Sequence, residues 1–161
     1  MSEVKGKPIT KEMWEDIEAE MSGSWVDIHF GYQGYEISVC RVRVSESKTC
    51  LQVYIDGVIN GSWTKVDLDA GGDLIADHAP KCLTDVWGKM TRARYAPSKI
   101  KKLQKIWGKR EFKKMYPDAD KKYVFHVPNF SKASVLCRQF KKLEGLELKK
   151  AMFLDLKEEA L

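Results

Sequence analysis

The feature that most constrains the fold of this chain is an alternation of apolar and polar residues over positions 24–64. A period of two places apolar side chains on one face, so it is typical of half-buried β-strands. The alternating segments are 26–30, 35–39, 51–55 and 58–64. Turn-forming residues separate them, and Asp56-Gly57 between two such segments is a strong hairpin signal. The pattern therefore predicts a four-stranded antiparallel meander.

An amphipathic helix is predicted immediately before the meander. Thr10 is a suitable N-cap, and Met13, Ile17 and Met21 follow at helical spacing before the pattern ends at residues 22–23. The outer face of this helix is acidic and consists of Glu12, Glu15, Asp16, Glu18 and Glu20. We interpret these carboxylates as a solvated helix surface; an acidic face that imitates DNA or binds a partner is the alternative.

The second half of the chain predicts mainly helices. Ser98 caps a lysine-rich helix with an apolar stripe, and Gly108 is a candidate interruption of it. The stripe consists of Ile100, Leu103, Ile106 and Trp107. The other predicted elements are a short helix within 82–90, a strand at 122–127, a helix that starts at Asn129 or Ser131 with Val135, Leu136, Phe140 and Leu143 inward, and one more strand within 146–156.

The length of 161 residues suits one domain with a hydrophobic core and is short for two. We therefore expect a single α+β domain over residues 1–161, with an N-terminal helix, a four-stranded antiparallel meander and a basic helical C-terminal half that adds one or two further strands. Its expected parts are a helix plus antiparallel sheet (10–65), an acidic Gly-containing loop (66–80) and a basic helical part (81–156).

Charge is divided unevenly between the two halves of the chain. Residues 1–80 contain 7 Lys/Arg and 14 Asp/Glu, whereas residues 81–161 contain 21 Lys/Arg and 9 Asp/Glu. The basic side chains are densest in residues 89–114, which hold 11 Lys/Arg and a single acid, Glu111. A split of this size indicates that one face of the protein meets an anionic partner, most commonly nucleic acid.

The lysine-rich helix is therefore the candidate binding site. The candidate residues are Arg92, Arg94, Lys99, Lys101, Lys102, Lys105, Trp107, Lys109, Arg110, Lys113 and Lys114. Such a stripe can follow a phosphate backbone, and the aromatic residues at its borders, Tyr95, Trp107, Phe112 and Tyr116, can stack on bases. Lysine outnumbers arginine, which favours contact with the backbone over base recognition. An acidic protein partner and a merely solvated helix surface are the alternatives.

Catalytic and metal-binding motifs are absent from the sequence, so we predict a non-enzymatic protein without cofactor or metal. The stretch that begins at Asp67 resembles a calcium loop, but His78 stands where the loop needs a bidentate Glu. A weak Mg²⁺ or Mn²⁺ site of a nuclease, made of Asp73, Asp77 and His78, is the minor alternative. Cys137 with His126 is the one nucleophile and base pair to be checked in space.

The cysteines and the apolar runs of the sequence bear on the cellular compartment of the protein. The four cysteines, Cys40, Cys50, Cys82 and Cys137, lack CxxC spacing, so we expect free and mostly buried thiols. The first ten residues contain no apolar core of signal-peptide length, and no apolar run approaches the roughly 20 residues that cross a bilayer. We therefore expect a cytoplasmic protein without a membrane partner.

Five segments of the chain carry a resemblance to a known group of proteins. They are the first helix with its Trp14, WVDIHFGYQGYEISV, LQVYIDGVINGSW, the lysine-rich helix and YVFHVPNFSKASVLCRQFKKLEGLEL. Together, over most of residues 11–150, they resemble small uncharacterised accessory proteins of tailed bacteriophages and prophages. The resemblance implies a protein of the bacterial host cytoplasm that binds nucleic acid or a host nucleoprotein, or alternatively an inhibitor of a defence system such as a CRISPR or restriction effector. It carries over no catalytic residue.

Overall fold

The computed structural model describes residues 6–159, and this part of the chain has a mixed α+β fold with two β-sheets. The strands are β1 (Lys7–Pro8), β2 (Asp27–Tyr32), β3 (Tyr35–Arg43), β4 (Thr49–Ile55), β5 (Thr64–Asp67), β6 (Gly72–Ile75), β7 (Gly88–Ala93), β8 (Lys122–Val127), β9 (Asn129–Phe130) and β10 (Glu147–Lys150). The helices are α1 (Lys11–Met21), α2 (Leu83–Val86), α3 (Pro97–Trp107), α4 (Lys109–Met115), α5 (Ala133–Phe140) and α6 (Met152–Glu159). None of these helices is both long and apolar enough to span a membrane.

The first sheet is antiparallel, with the strand order β1-β10-β2-β3-β4-β9. Three of the four predicted meander strands, β2, β3 and β4, pair in the expected order, and Val39 lies between Ile28 and Val53 in the register. These three side chains are fully buried and belong to one face of the sheet. The predicted alternation is therefore confirmed for this part of the sheet.

The prediction of a fourth strand at 58–64 is wrong. Val58 forms only an isolated bridge with Ile55, and a 3₁₀ turn follows at Gly61–Trp63. The Asn60 side chain accepts a hydrogen bond from the Ser62 N–H at 2.9 Å, a local bond that competes with strand pairing. The edge of the sheet beside β4 is occupied by β9 instead, with Leu51 opposite Phe130.

The hydrophobic core lies between the buried face of this sheet and helices α1 and α5. As predicted, Thr10 caps α1, since its hydroxyl accepts a hydrogen bond from the Met13 N–H at 3.2 Å. Phe30 packs between the rings of Trp14 and Phe140, with ring centroids 6.1 and 5.4 Å away. Complete burial of one such side chain contributes about 1.5–3 kcal/mol. This core holds the main body of the protein together.

The second sheet has the order β5-β6-β8-β7; of its strands, β8 is predicted from the sequence, whereas β6 and β7 form where the sequence predicts a loop and a helix. The acidic stretch 66–80 is not only a loop, because β5 and β6 form a hairpin within it. Gly72 has a φ of 156° and is bridged to Val124 of β8, and a Cβ at Gly72 would clash with the Val124 carbonyl oxygen. The predicted helix within 82–90 is limited to α2, and β7 follows it to pair with β8.

The predictions for the C-terminal half are confirmed in part. Strand β8 and strand β10 form where expected, and Gly108, with a φ of 81°, divides the lysine-rich helix into α3 and α4. Helix α3 starts after Ala96, and not at a Ser98 cap, because Pro97 fits the first helical turn. Helix α5 starts at Ala133 and buries Leu136 and Phe140. Val135 was expected inward but is exposed.

The final helix, α6, is fixed by a side chain of α1. The two carboxylate oxygens of Glu20 accept hydrogen bonds from the N–H groups of Met152 and Phe153, at 3.0 and 2.8 Å. These N–H groups belong to the first turn of α6 and have no partner within the helix itself. Glu20 therefore acts as a cap for α6, and this acid of the α1 surface has a structural role.

Candidate nucleic-acid interface

Helices α3 and α4 form a lysine-rich surface on the excursion of the chain between β7 and β8. We use the name basic surface for its eight exposed cations, Lys99, Lys101, Lys102, Lys105, Lys109, Arg110, Lys113 and Lys114. No residue of α3 is buried, and Phe112 is the one buried residue of α4. The two helices contact each other and stand apart from the main core. The basic surface therefore belongs to a part of the fold that contributes little to the core.

Helical geometry groups three of the four cations of α3 on one side, whereas Lys99 falls beside Ile106 on the side of the apolar stripe. At about 100° per residue, Lys101, Lys102 and Lys105 fall within an arc of roughly 100°. The apolar stripe lies on the opposite side, but it is covered only in part: Ile106 is 70% exposed and Trp107 is 52% exposed. The predicted stripe thus exists, and at its C-terminal end it faces solvent.

Helix α4 continues the arrangement after the break at Gly108. Lys109 and Lys113, and likewise Arg110 and Lys114, are four residues apart, so each pair lies on the same side of the helix. Phe112 points the opposite way and is buried. One side of α4 therefore packs against the protein, and the other side presents positive charge to solvent.

Few acidic side chains neutralise the basic surface. Within residues 6–159, Lys114 is the one member with a carboxylate inside 4 Å, and that partner is Glu111 at 3.9 Å. Lys99 lies over the ring of Tyr95, with its Nζ 5.2 Å from the centroid. Like charges four residues apart destabilise a helix by about 0.2–0.5 kcal/mol per pair. A bound polyanion would relieve this repulsion, so the surface is complementary to a row of negative charges.

Two arginines proposed from the sequence lie outside the basic surface. Arg94 is placed between Asp69 and Asp118, 3.6 Å from a carboxylate oxygen of each. It connects the β5–β6 turn to the segment that precedes β8, so its contacts are with the protein itself. Arg92 lies on β7, and its guanidinium carbon is 5.4 Å from the ring centroid of Phe125.

Three of the four aromatic residues predicted to stack on bases form a small cluster instead. The rings of Tyr95 and Tyr116 meet edge to face at 5.6 Å, and Tyr116 also packs on Phe112 at 5.3 Å. Phe112 is buried, so its stacking role is excluded. The cluster holds α4 against the chain that leaves β7. Of the predicted stacking residues, Trp107 remains largely exposed.

Sequence reasoning overlooked a second group of aromatic residues, on β8. Tyr123 and Phe125 lie on the same face of this strand with ring centroids 5.7 Å apart. The signal was present in the sequence as the alternation within 122–127, but nothing indicated that this strand would lack a covering helix. Both rings are half-buried, and they adjoin Arg92 and Met90 of β7.

The metal site considered from Asp73, Asp77 and His78 is not assembled. Asp73 instead contacts His126: its Oδ2 lies 2.8 Å from His126 Nδ1 and accepts the His126 backbone N–H. His78 lies 3.2 Å from the Ser62 hydroxyl. Among the residues that the structure describes, no group of three or more metal-ligating side chains comes together.

The pair of Cys137 and His126 is not supported either, because each has other contacts. The Cys137 Sγ lies 3.8 Å from the Met21 Sδ in the core, and burial raises the pKa of this thiol to about 12. A thiol with so high a pKa is not a nucleophile near neutral pH. All four cysteines are free, with Cys50, Cys82 and Cys137 buried, and this confirms the prediction of free and mostly buried thiols.

Known proteins provide no further guide to the site. No protein-family model, no curated protein and no solved structure matches this chain.

Proposed function

We propose that this protein binds nucleic acid without catalysing a reaction, and that it does so through the basic surface of α3 and α4. The observation that carries the proposal is the concentration of eight exposed cations on two successive helices, of which one has a carboxylate partner among the residues that the structure describes. Exposed positive charge that the protein leaves unpaired over such an area is the usual electrostatic footprint of a nucleic-acid surface.

The mode of binding follows from the chemistry of these side chains. Seven of the eight cations are lysines, which act as mobile point charges, and Arg110 is the one guanidinium that could form a planar fork. Lysine suits contact with phosphates and gives little base discrimination. Binding should therefore depend weakly on sequence and strongly on salt. If about six phosphates are neutralised, log affinity for a single strand falls with a slope of about −4 against log salt.

An inhibitor of a bacterial defence complex is the alternative function; it would bind either through the lysines of the basic surface or through the acidic face of α1, as an imitation of a row of phosphates. Glu20 caps α6, so this carboxylate is not available on the acidic face of α1. The basic surface could also bind an acidic protein. The bacteriophage origin and the cytoplasmic location remain predictions from the resemblance and the sequence.

Charge reversal at four positions tests the proposal. We would replace Lys101, Lys102, Lys105 and Lys109 with Glu and measure binding of labelled single-stranded and duplex DNA by fluorescence anisotropy. The matched control replaces Lys7, Lys11, Lys48 and Lys65 with Glu. These four lysines are also exposed, and the change in net charge is identical.

We expect the first variant to lose affinity by about 100-fold or more at low salt, because several phosphate contacts are removed at once. The control variant should lose far less, since its lysines lie away from the basic surface. Equal losses in the two variants would show that only net charge matters. Unchanged binding in the first variant would contradict the proposal.

A further inference from the structure

Strands β7 and β8 carry a partly exposed aromatic face, which lies outside the hydrophobic core. Arg92 is paired with Tyr123, and Met90 is paired with Phe125, so these four side chains share one face of the second sheet. The rings of Tyr123 and Phe125 are tilted by 31° with centroids 5.7 Å apart. We use the name aromatic face for these four residues.

The aromatic face is open to solvent in part, chiefly at its β7 side. Met90 is 42% exposed, and Tyr123 and Phe125 are only half-buried. Among residues 6–159, no side chain of β7 or β8 belongs to the hydrophobic core between the first sheet and helices α1 and α5. Apolar surface that remains open beside polar residues often marks a binding site.

The charge around the aromatic face indicates the kind of partner. The Arg92 guanidinium lies over the Phe125 ring, at 5.4 Å from its centroid, and can move to a phosphate without leaving the face. The aromatic face and the basic surface are neighbours along the chain, because residues 94–96 join β7 to α3 and residues 116–121 join α4 to β8. Stacking rings beside unpaired cations are the two components of a surface for single-stranded nucleic acid.

We infer that the aromatic face binds the bases of a single-stranded nucleic acid whose backbone is held by the basic surface. The inference rests on the proposed function and specifies its substrate. Bases within a duplex are already stacked on one another, so their faces are not open to Tyr123 and Phe125. The protein should therefore prefer single strands to duplexes, and it should tolerate most sequences because every base has a face that can stack.

The experiment combines a change in the protein with a change in the ligand. Tyr123→Leu with Phe125→Leu keeps the face apolar and removes the aromatic rings. The ligands are a labelled single-stranded oligonucleotide, an abasic strand with the same phosphates, and a duplex of the same sequence. Tyr54→Leu is the matched control, because Tyr54 is a half-buried tyrosine on β4 of the first sheet.

The wild type should bind the single strand more tightly than either the abasic strand or the duplex. The double variant should lose about 5-fold or more in affinity for the single strand, the effect typical of one stacked base, and nothing for the abasic strand. The slope against salt should stay unchanged, because all cations of the basic surface remain. Tyr54→Leu should bind like the wild type.

Two failures are distinguishable. If the wild type binds no nucleic acid at about 50 mM salt, where phosphate contacts are strong, the proposed function fails together with the inference. If the wild type binds, but the double variant weakens the single strand and the abasic strand equally or not at all, only the inference fails.

Photocrosslinking of the wild type tests the inference about the aromatic face without any variant. A strand that carries 5-bromouracil is irradiated in the complex, and the attached peptide is identified by mass spectrometry. Crosslinks to Tyr123 or Phe125 support the inference. Crosslinks confined to α3 and α4 overturn it. This measurement also applies if the double variant does not fold.

Discussion

The two β-sheets of this protein differ in what they bury. The first sheet has an apolar face closed by α1 and α5, and Ile28, Val39 and Val53 at its centre have no exposed surface. In the second sheet, the only residues of the described strands that are classed as buried are Gly72 and Gly88, which have no side chain to pack. Stability is therefore concentrated around the first sheet, whereas the second sheet and its helices present exposed charge and aromatic rings.

The difference between the two sheets indicates which part of the molecule is available for binding. An open apolar surface and a row of like charges both cost stability, and a fold retains them most readily where binding benefits from them. Here the partly open apolar surface lies on β7 and β8, and the row of like charges lies on α3 and α4, which connect these two strands. Changes to the first sheet should thus alter folding, and changes to the second sheet should alter binding.

The largest effect on stability is expected from the core of the first sheet. Phe140 is fully buried and contacts the rings of both Phe30 and Phe130. Phe140→Ala should lower the free energy of unfolding by about 3–5 kcal/mol, because it leaves a cavity between α5 and the sheet. Urea denaturation followed by circular dichroism measures this loss. A loss below about 1 kcal/mol would mean that the core is not organised around this ring.

A smaller effect is expected from the cap on α6. Glu20→Gln should lower the free energy of unfolding by about 0.5–2 kcal/mol, because a neutral amide binds the first N–H groups of a helix less well than a carboxylate. Glu15→Gln is the control, since Glu15 is exposed on the same helix. Hydrogen exchange at Met152 and Phe153 should accelerate only in the first variant. Equal behaviour of the two variants would contradict the capping role.

The salt bridge between Asp27 and Lys150 should give a modest dependence on pH. The Lys150 ammonium, 2.9 Å away, and the neighbouring His29 hold the pKa of Asp27 below its ordinary value of 3.8. A carboxyl with a lowered pKa in the folded state contributes stability above pH 3.8, and this contribution disappears as the pH falls through the folded-state pKa.

Asp27→Asn tests this dependence on pH. The variant should be less stable than the wild type at about pH 6, and the gap should narrow as the pH is lowered from 3.8 to about 2.5. Asp27 is partly exposed, so the effect is smaller than that of the cap or the core. A stability difference that stays constant between these two pH values would contradict the salt bridge of Asp27 as the source of the pH dependence.

The smallest effect on stability is expected at the open end of α3. Ile106 is 70% exposed, so Ile106→Gln removes almost no buried apolar surface. The free energy of unfolding should change by less than about 0.5 kcal/mol. Thermal denaturation checks this value. A loss as large as that from a core substitution would show that α3 packs on the body of the protein, and the contrast between the two regions would fail.

The elements that the sequence predicts correctly depend on local signals. Helix α1 follows from Thr10 and the spacing of Met13, Ile17 and Met21, and its cap and buried face lie within a few turns of one helix. The position of the break at Gly108 is equally local. The basic surface is predictable for the same reason, because eight cations on a helical pattern remain exposed unless something specific buries them.

The elements that the sequence misses depend on distant partners. The bridge between Gly72 and Val124 joins residues 52 positions apart, so the acidic stretch shows no sign that it will pair as a strand. The aromatic residues were misassigned for a related reason: helical spacing places Phe112 and Tyr116 together, but only the fold shows that they face inward. Whether Tyr123 and Phe125 are covered depends equally on where the helices pack.

The measurement that tests the central claim most directly is the affinity for a single-stranded oligonucleotide at a series of salt concentrations. If the basic surface neutralises about six phosphates, affinity should fall by about 300-fold between roughly 50 and 200 mM salt, on a straight line of log affinity against log salt. An affinity that does not change over this range, or no binding at the lowest salt, would contradict the account.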